Sequence, residues 1–310
     1  MALTPYTTTL TDEAARRGIP VTMVHEDAEW PIFDLHFAKR TIRCFNAMTD
    51  LVGAATYHLV NHKRSCHNWL ADHGFPVPAQ LAYDAREGER IRSFLERFAP
   101  IVVKPAMQWG GRGVSMGIRN LGELRRAVNF AHRYETDVLL EESVEGEDLR
   151  VILVNGEMAA AIRRNPARVC GDGRRTLRQL IRARNRSRCR IDPSNRIPEN
   201  AETWRNLEVL GHSLEEIPER GRWVRVRLTN NYHTGGDVDI VTDSVEEEPL
   251  SIARQIVKAL GLPLAGVDFL INPRTRRPVV IEVSPDMAIS PPEGDLVARK
   301  WFDYLIATFN

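Results

Sequence analysis

A lysine at the end of an apolar run is the first feature of the sequence that suggests chemistry. Lys104 follows Ile-Val-Val, precedes a proline, and lies six residues before a glycine cluster at residues 110–113. Backbone N–H groups of glycine-rich loops approach phosphate oxygens, and a nearby ammonium group adds positive charge. The cluster has neither a Walker ending nor a dinucleotide-binding spacing. The pattern suits a phosphate-binding loop, and equally a strand-end lysine beside an ordinary turn.

Two acids lie inside apolar runs that predict neighbouring strands. Asp268 follows Ala-Gly-Val, and Glu282 follows Val-Val-Ile. The two runs predict one hairpin, so the carboxylates are expected to face each other. A charge inside a strand is costly unless it is paired or bound to a metal ion. Facing carboxylates suit a hard cation such as magnesium, and the alternative is a pair of acids held by arginines.

Two polar stretches say less when each is taken alone. Residues 141–148 read Glu-Glu-Ser-Val-Glu-Gly-Glu-Asp, which is also the composition of a solvated acidic turn. Residues 227–236 read Arg-Leu-Thr-Asn-Asn-Tyr-His-Thr-Gly-Gly and predict a polar loop that ends in glycine.

Hydrophobic periodicity and turn residues predict the elements that position these side chains. Helices are predicted over residues 11–17, 63–72, 86–98, 121–134, 248–260 and 296–309. Single strands are predicted over 21–24, 32–37, 41–45, 101–104, 138–141 and 224–228, with hairpins at 150–162, turned by Asn155-Gly156, and 264–284. Antiparallel hairpins separated by helices indicate an α+β architecture, without the βαβ rhythm of a Rossmann domain.

In chain order, these pieces resemble the ATP-grasp ligases. The shared series runs from Lys63 through Pro-Val-Pro, Val-Val-Lys-Pro, the glycine-rich loop, Glu-Glu-x-Val-x-Gly-x-Asp-x-Arg, Gly-Asp-Gly-x-x-Thr, Asn-x-x-Thr-Gly-Gly and Gly-Val-Asp to Ile-Glu-Val. The Gly-Asp-Gly-Arg-Arg-Thr motif at 171–176 and His-Thr-Gly-Gly at 233–236 resemble one branch in particular. That branch contains cyanophycin synthetase, bifunctional glutathione synthetase and N-acetylglutaminylglutamine synthetase.

The resemblance implies a fold with two α+β lobes that grip ATP. It implies a short N-terminal unit at residues 1–57, a small lobe with the glycine-rich loop at 58–140, and a large lobe at 141–310. The large lobe would carry an arginine-rich insertion at residues 163–200.

The resemblance also implies roles for residues that contact the nucleotide. Lys63 and Lys104 would contact phosphates, and the loop from Gly110 to Ser115 would close over the triphosphate. Glu141 would hold adenine together with the backbone of Glu142 and of Val144, and Asp148 would bind the ribose. The set comprises Lys63, Lys104, Gly110, Gly111, Gly113, Ser115, Glu141, Glu142, Val144 and Asp148. If Lys104 contacts phosphates, its replacement by alanine is expected to abolish ligation with little change in melting temperature.

The remaining roles concern the reaction and the metal. Arg150, Arg227 and Asn231 would lie near the γ-phosphate and the acyl phosphate, and Asp268 and Glu282 would hold magnesium, with Glu282 bridging two ions. The family usually has asparagine two residues after the second acid, and here that position is Ser284. Serine is a weaker ligand, and Asp286 is a candidate replacement.

The resembled activity joins a carboxylate to an amine through an acyl phosphate, with release of ADP and phosphate. Phosphorylation gives the carboxylate a leaving group, and water must be kept from the acyl phosphate. The expected cofactors are ATP and magnesium, and the expected substrates are amino acids or small peptides, acidic ones included. The alternative is an ATP-binding regulatory or scaffolding protein with weakened catalysis. It is suggested by Ser284, which occupies the position of the usual asparagine. The resemblance is also compatible with a homodimer.

Composition narrows the class of protein. The 310 residues are 43% hydrophobic and 27% charged, as in ordinary globular proteins. The sequence has no apolar run of about 18 residues and no secretory pattern at its start, so no membrane partner is expected. The four cysteines are scattered without a CxxC pair, and the cytoplasm is therefore the expected compartment.

Positive charge is concentrated in one block. Residues 163–190 contain eleven arginines and one acid, a net charge of +10 in a chain whose net charge is +1. The block suits a trap for carboxylate or phosphate groups, a solvated mobile arm, or a nucleic-acid patch. It holds no aromatic residue for base stacking, which disfavours nucleic acid. Arg163, Arg164 and Arg168 are the members expected to influence substrate choice.

Overall fold

Antiparallel strands and amphipathic helices alternate along the chain, as the sequence predicts. The computed structural model describes residues 5–26, 31–190, 192–285 and 292–310. Contacts within the chain define two units. The first comprises Met1–Val77, Leu149–Arg163 and Ile240–Asn310, and the second comprises Pro78–Asp148 and Arg164–Asp239. The three-part division drawn from the sequence stays a prediction.

The elements are numbered in chain order. The helices are α1 (Pro5–Arg16), α2 (Ala54–Asn61), α3 (Lys63–Asp72), α4 (Gly88–Phe98), α5 (Leu121–Ala131), α6 (Leu177–Arg188), α7 (Ala201–Val209), α8 (Glu247–Leu260) and α9 (Gly294–Phe309). The first strands are β1 (Val21–His25), β2 (Ile32–His36), β3 (Thr41–Phe45), β4 (Met48–Thr49), β5 (Gln80–Ala82), β6 (Ile101–Pro105), β7 (Ser115–Ile118) and β8 (Val138–Glu142). The others are β9 (Glu147–Val154), β10 (Glu157–Asn165), β11 (Arg168–Cys170), β12 (Trp223–Arg225), β13 (Asp237–Ile240), β14 (Leu264–Ile271) and β15 (Pro278–Ser284).

The first unit has two hydrophobic clusters. The sheet β1-β2-β3-β4 packs against α1 and α9, and this cluster contains Leu10, Phe33, Trp301 and Phe302, all at most 1% exposed. The second cluster joins the sheet β13-β10-β9-β14-β15 to α8 and α3, with Phe269 fully buried at its centre. Apolar side chains on the inner faces of these helices supply the burial that stabilises them.

The hairpin β14–β15 has the register that the sequence predicts. Asp268 pairs directly with Glu282, and the register then shifts so that Phe269 pairs with Val280. The shift is a β-bulge that leaves Ile281 as the extra residue. Directly opposed residues of an antiparallel pair lie on the same face of the sheet, so both carboxylates belong to one face.

The second unit contains an antiparallel sheet in the order β5-β8-β6-β7. One face of it packs against α4 and α5 through Ile91, Phe94, Leu124 and Val128. Helix α5 begins where the side chain of Asn120 accepts from the N–H of Glu123, which satisfies one otherwise unpaired donor. This packing fixes the strand β6, which ends with Lys104 and Pro105.

Residues 164–239 form the other part of the second unit. Strands β11 and β12 pair antiparallel, and α6 and α7 pack against them around Leu177, Ile181, Leu207 and Val224. The sequence favoured a solvated mobile arm for the arginine block as one alternative. That alternative is wrong for the described residues, because α6 buries an apolar stripe in a core of its own.

The Gly-Asp-Gly-Arg-Arg-Thr motif starts α6. Thr176 accepts from the N–H of Gln179 while the Gln179 side chain accepts from the N–H of Thr176, which is a capping box. Asp172 Oδ1 accepts from the N–H groups of Arg174 and Arg175, at 3.0 and 2.8 Å. The backbone hydrogen bond from Arg175 and that residue's side chain lower the pKa of Asp172 to about 2.

Most predicted elements are present with similar bounds. The predicted bounds of α3, β3, β14 and β15 match the structure, and the Asn155-Gly156 turn joins β9 to β10. The sequence prediction missed α2, α6 and α7 and the short strands β4, β5, β7, β11 and β13. Within the described residues, none of the helices has the length and apolar character needed to cross a membrane.

We predict that the capping box contributes measurably to stability. Thr176→Ala removes the side-chain acceptor for the Gln179 N–H, and loss of such a cap costs about 1 kcal/mol. The measurement is chemical denaturation followed by circular dichroism. Ser187→Ala, an exposed position on the same helix, is the control and should leave the transition unchanged. Equal midpoints for the two variants would show that the cap is not stabilising.

Candidate functional site

Lys104 is buried and forms an ion pair in the second unit. Its Nζ lies 2.6 Å from Glu141 Oε2, and the two side chains are 7% and 6% exposed. Gln80 Nε2 donates to the same carboxylate oxygen at 2.6 Å. Because Gln80 and Glu141 are register partners on β5 and β8, the sheet itself sets this contact. The solvated-turn alternative is therefore wrong for Glu141.

This ion pair corrects one expectation. Removal of Lys104 would leave the Glu141 carboxylate buried without its cation, and breaking such a pair costs about 3–5 kcal/mol. Lys104→Ala is consequently expected to lower the melting temperature, contrary to the sequence-based expectation. Loss of activity in that variant alone would not separate binding from folding.

The glycine-rich loop follows β6. Gly110, Gly111 and Gly113 all have positive φ, at 67°, 74° and 71°. A Cβ on Gly113 would lie 2.7 Å from Pro105 Cγ, so only glycine fits against this proline. Ser115 lies at the start of β7, where it is buried and donates to Glu202 Oε2 at 3.3 Å. The loop therefore has a backbone shape that larger residues would strain.

The structure brings this loop next to the turn that contains Asn231. A Cβ on Gly111 would lie 3.7 Å from Thr234 Cγ2 and 3.9 Å from Asn231 Cβ, both within the second unit. Asn231 Oδ1 accepts from the N–H of His233 at 2.8 Å, and its carbonyl accepts from the N–H of Gly236 at 3.2 Å. Two stretches expected to contact phosphate are thus neighbours.

Arg227 lies deeper in the same unit. It is 2% exposed, and its Nη1 donates to Thr203 Oγ1 at 3.0 Å. Its Nε is buried without a hydrogen-bond partner among the described residues. Burial lowers the pKa of Arg227, an effect that nearby Glu202 opposes and Arg205 strengthens. A buried guanidinium with an unused donor is suited to an anionic ligand.

The residues expected around the base and the ribose lie at the end of β8 and the start of β9. Glu142 Oε2 accepts from the N–H of Ala79, and the Glu142 N–H donates to the Ala79 carbonyl. Val144 is half-buried in the connection between the two strands. Asp148 forms an ion pair with Arg164 at 2.7 Å, so this member of the arginine block already has a partner.

In the first unit, each facing carboxylate has a cation. Arg150 on β9 donates to both oxygens of Asp268, at 2.6 and 2.9 Å, and the Asp268 side chain is 3% exposed. Lys63, the first residue of α3, lies 3.4 Å from Glu282, which is 37% exposed. The predicted facing arrangement of the two acids is confirmed. The arginine-paired alternative is also found, because Arg150 holds Asp268.

His67 is a residue that the sequence reasoning missed. It is 3% exposed on α3, one turn after Lys63, and its Nε2 donates to the carbonyl of Ile281 at 2.7 Å. Ile281 is the extra residue of the bulge beside Glu282. The i, i+4 spacing of a lysine and a histidine places both on one helix face. This spacing indicates that the helix packs against the hairpin only when the position of the hairpin is already known.

Ser284 ends β15, two residues after Glu282. The other candidate ligand, Asp286, lies outside the described residues. In the described part of the chain, no group of three or more His, Cys, Asp and Glu side chains forms a metal cluster. The candidate metal ligands within the described residues are the two facing carboxylates and the Ser284 hydroxyl.

The geometry agrees with a comparison to known families. The profile of the ATP-grasp domain matches residues 60–288, which include both carboxylates, Lys104 and the glycine-rich loop. The chain belongs to the ATP-grasp family. Its ATP-grasp fold, α+β in class, is confirmed.

Two curated proteins and one solved structure are similar to the chain. Cyanophycin synthetase from Trichormus variabilis is 30% identical over 308 residues, which cover 94% of this chain and 34% of that protein. The bifunctional glutathione biosynthesis protein of Streptococcus mutans is 31% identical over 210 residues, 65% of this chain and 28% of that protein. A crystal structure of bifunctional glutathione synthetase from Pasteurella multocida has a TM-score of 0.63 at 22% identity, covering 98% of this chain and 44% of that one. The chain spans about a third of the length of the cyanophycin synthetase it matches.

We predict that replacing both Lys104 and Glu141 by neutral residues restores stability without restoring nucleotide binding. Lys104→Met alone should lower the free energy of unfolding by about 3–5 kcal/mol, because the buried Glu141 carboxylate loses the cation that lies 2.6 Å from it. Adding Glu141→Gln should recover much of that loss. ATP binding, measured by calorimetry, should stay weak in the double variant. Lys258→Met, at an exposed position on α8, is the control. Normal ATP affinity in a folded double variant would exclude Lys104 from phosphate binding.

Proposed function

We propose that this chain is an ATP-dependent ligase that forms an amide bond between a carboxylate and an amine. The substrates would be amino acids or small peptides, and the products would include ADP and phosphate. The observation that supports this most directly is the pair of facing carboxylates, Asp268 and Glu282, each matched with a cation expected to contact phosphate. A site with both kinds of charge suits a metal–nucleotide complex.

Magnesium fits the donor chemistry of the hairpin. Asp268 and Glu282 supply hard oxygen ligands on one face of the sheet, and Ser284 supplies a weaker one. Arg150 and Lys63 now balance the charge of these acids. A magnesium–ATP complex brings both signs of charge, so the acids would turn to the metal and the two cations to phosphate oxygens. Bound magnesium would neutralise phosphate charge, and we propose that Asp268, Glu282 and Ser284 would hold two such ions.

The chain's own residues would bind the nucleotide and stabilise charge during phosphoryl transfer. Lys104 and the N–H groups of the glycine-rich loop would bind the triphosphate, and Glu141, Glu142, Val144 and Asp148 would hold the nucleoside. Arg150, Arg227 and Asn231 would stabilise charge on the transferring phosphoryl group. The carboxylate oxygen attacks the γ-phosphorus, ADP leaves, and the amine then displaces phosphate from the acyl carbon. A loop that excludes water protects the acyl phosphate.

The setting of the enzyme is also part of the proposal. All four cysteines are free thiols, and Cys44 and Cys66 are buried. Free thiols suit a reducing compartment, so we propose the cytoplasm. The named relatives are a cyanophycin synthetase and a glutathione biosynthesis protein, and they support an amino-acid or small-peptide substrate for this chain.

We predict that hydroxylamine traps the acyl phosphate when the right carboxylate is supplied. The purified protein is incubated with ATP, magnesium, hydroxylamine and a panel of amino acids and dipeptides, and hydroxamate and ADP are measured. Both should form together and stop in Glu282→Gln, whose side chain is exposed enough that the fold should tolerate the change. Glu248→Gln, an exposed acid on α8, is the control. Bound ATP with no hydroxamate from any carboxylate would favour a regulatory ATP-binding protein, as would activity that survives chelation of all divalent metal.

We predict that Ser284 makes the magnesium requirement high. A hydroxyl is a weaker ligand than an amide oxygen, so activity should continue to rise with magnesium after ATP is saturating. Ser284→Asn should lower the magnesium concentration at half-maximal activity several-fold and leave the choice of carboxylate unchanged. An unchanged magnesium dependence in this variant would remove Ser284 from the metal site.

A further inference from the structure

Helix α6 carries five of the eleven arginines of the block, and one side of it contacts the turn that contains Asn231. Arg184 Nη2 donates to the carbonyl of Gly235 at 2.9 Å and to the two oxygens of Asp237 at 3.2 and 3.1 Å. Arg188, one turn later, donates to Asp237 Oδ1. Two guanidinium groups therefore hold the two ends of one short stretch, residues 235–237.

A layer of amide contacts lies beneath these arginines. Asn185 exchanges two hydrogen bonds with the backbone of Ile197, each 2.9 Å long. Asn195 Nδ2 donates to the carbonyl of Gly236 at 2.9 Å. Gly235 has φ of 86°, and a Cβ there would overlap Ile197 Cγ1. The turn thus rests against a buried segment that α6 itself fixes.

The same turn is connected to the phosphate-binding side of the unit. Gly236 N–H and Thr234 N–H both donate to the Asn231 carbonyl, at 3.2 and 3.1 Å. Thr234 and Asn231 are the two side chains next to Gly111 of the glycine-rich loop. A displacement at Gly235 or Gly236 would therefore move Asn231 relative to that loop.

The cluster of Arg184, Arg188 and Asp237 has an electrostatic cost, which argues against a contact without a role. Arg184 is 15% exposed, and its Nε is buried with no hydrogen-bond partner among the described residues. Burial lowers the pKa of Arg184, Asp237 opposes that effect, and Arg188 and Arg168 add to it. A half-buried guanidinium that shares one carboxylate with a second arginine is not an arrangement that packing alone favours.

We propose that Arg184 and Arg188 are positioning residues for ligation, which hold the Asn231–Gly236 turn through Asp237 and the Gly235 carbonyl. The inference rests on the proposed function of Asn231. It assigns to this part of the arginine block the support of a reacting turn, in place of a substrate trap. Arginine suits the task because its planar fork reaches a carbonyl and a carboxylate at once, which a lysine ammonium does less well.

The test compares Arg184→Met, Arg188→Met and Asp237→Asn with Arg186→Met. Arg186 is an exposed arginine on the same helix and serves as the matched control. The first readout is hydroxamate formation at saturating ATP and carboxylate. The three variants should lose about 10- to 100-fold in kcat, the range expected for a misplaced reacting group, while ADP affinity by calorimetry stays within about 2-fold, because Lys104 and Glu141 are untouched. Arg188→Met combined with Asp237→Asn should be no worse than the more damaging single change.

A second readout does not depend on activity. Amide hydrogen exchange of residues 231–236 should speed up in the Arg184 and Arg188 variants and stay unchanged in Arg186→Met. Arg184→Met could lose protection because the variant folds poorly rather than because it lacks the contact. In that case Arg184→Lys should recover part of the protection from exchange. Wild-type protein without hydroxamate activity would count against the proposed function. Normal kcat and normal exchange in folded Arg184 and Arg188 variants would instead refute the positioning role, as would a loss of ADP affinity equal to the loss of kcat.

Discussion

Negative charge inside a sheet requires compensating positive charge, and this constraint organises the first unit around Asp268 and Glu282. The Asp268 side chain is 3% exposed, and Arg150 holds it with a bidentate hydrogen bond from the neighbouring strand β9. Lys63 supplies the second cation from the start of α3. His67, on the same face of the helix, donates to the carbonyl of the bulged residue Ile281 and so joins the helix to the hairpin. The charges that stabilise the hairpin are thus the same charges that we propose for binding a metal–phosphate ligand.

The second unit obeys the same rule with a single pair. Lys104 and Glu141 are both buried, and neither could be buried alone at a tolerable cost. A lysine expected to bind phosphate therefore also stabilises the sheet between β6 and β8. Nucleotide binding would replace part of that contact, so some binding free energy would be spent on separating the pair. Phosphate recognition and neutralisation of Glu141 both require a cation, and Lys104 would serve as both. A single substitution of Lys104 therefore cannot distinguish the two roles.

Local signals in the sequence predicted the elements that depend on local chemistry. The Asn155-Gly156 turn, the hairpin register that sets Asp268 opposite Glu282, and the start of α3 all follow from residues close together in the chain. Helix α6 was missed because its apolar residues Leu177, Leu180 and Ile181 are spaced among arginines and find their packing partners in α7 and β12. Pairs such as Arg150–Asp268, 118 residues apart, have no local signature at all. The sequence therefore predicted the facing pair of acids within one hairpin, but not the ion pairs between residues that are far apart in the chain.

The arginine block shows why charge counted along a sequence overstates charge in space. Its +10 over residues 163–190 looks like a strong anion trap. In the folded unit, acids that follow the block in the chain lie against it: Arg178 meets Glu215, Arg182 meets Glu199, and Arg184 and Arg188 meet Asp237. The Arg178 and Arg182 contacts are exposed and add little to stability. The Asp237 contacts differ, because they are half-buried. Arg184 also donates to the Gly235 carbonyl of the turn next to the glycine-rich loop. Arginines that are paired with nearby acids cannot attract a distant substrate strongly. They can, however, fix the position of the turn that they contact.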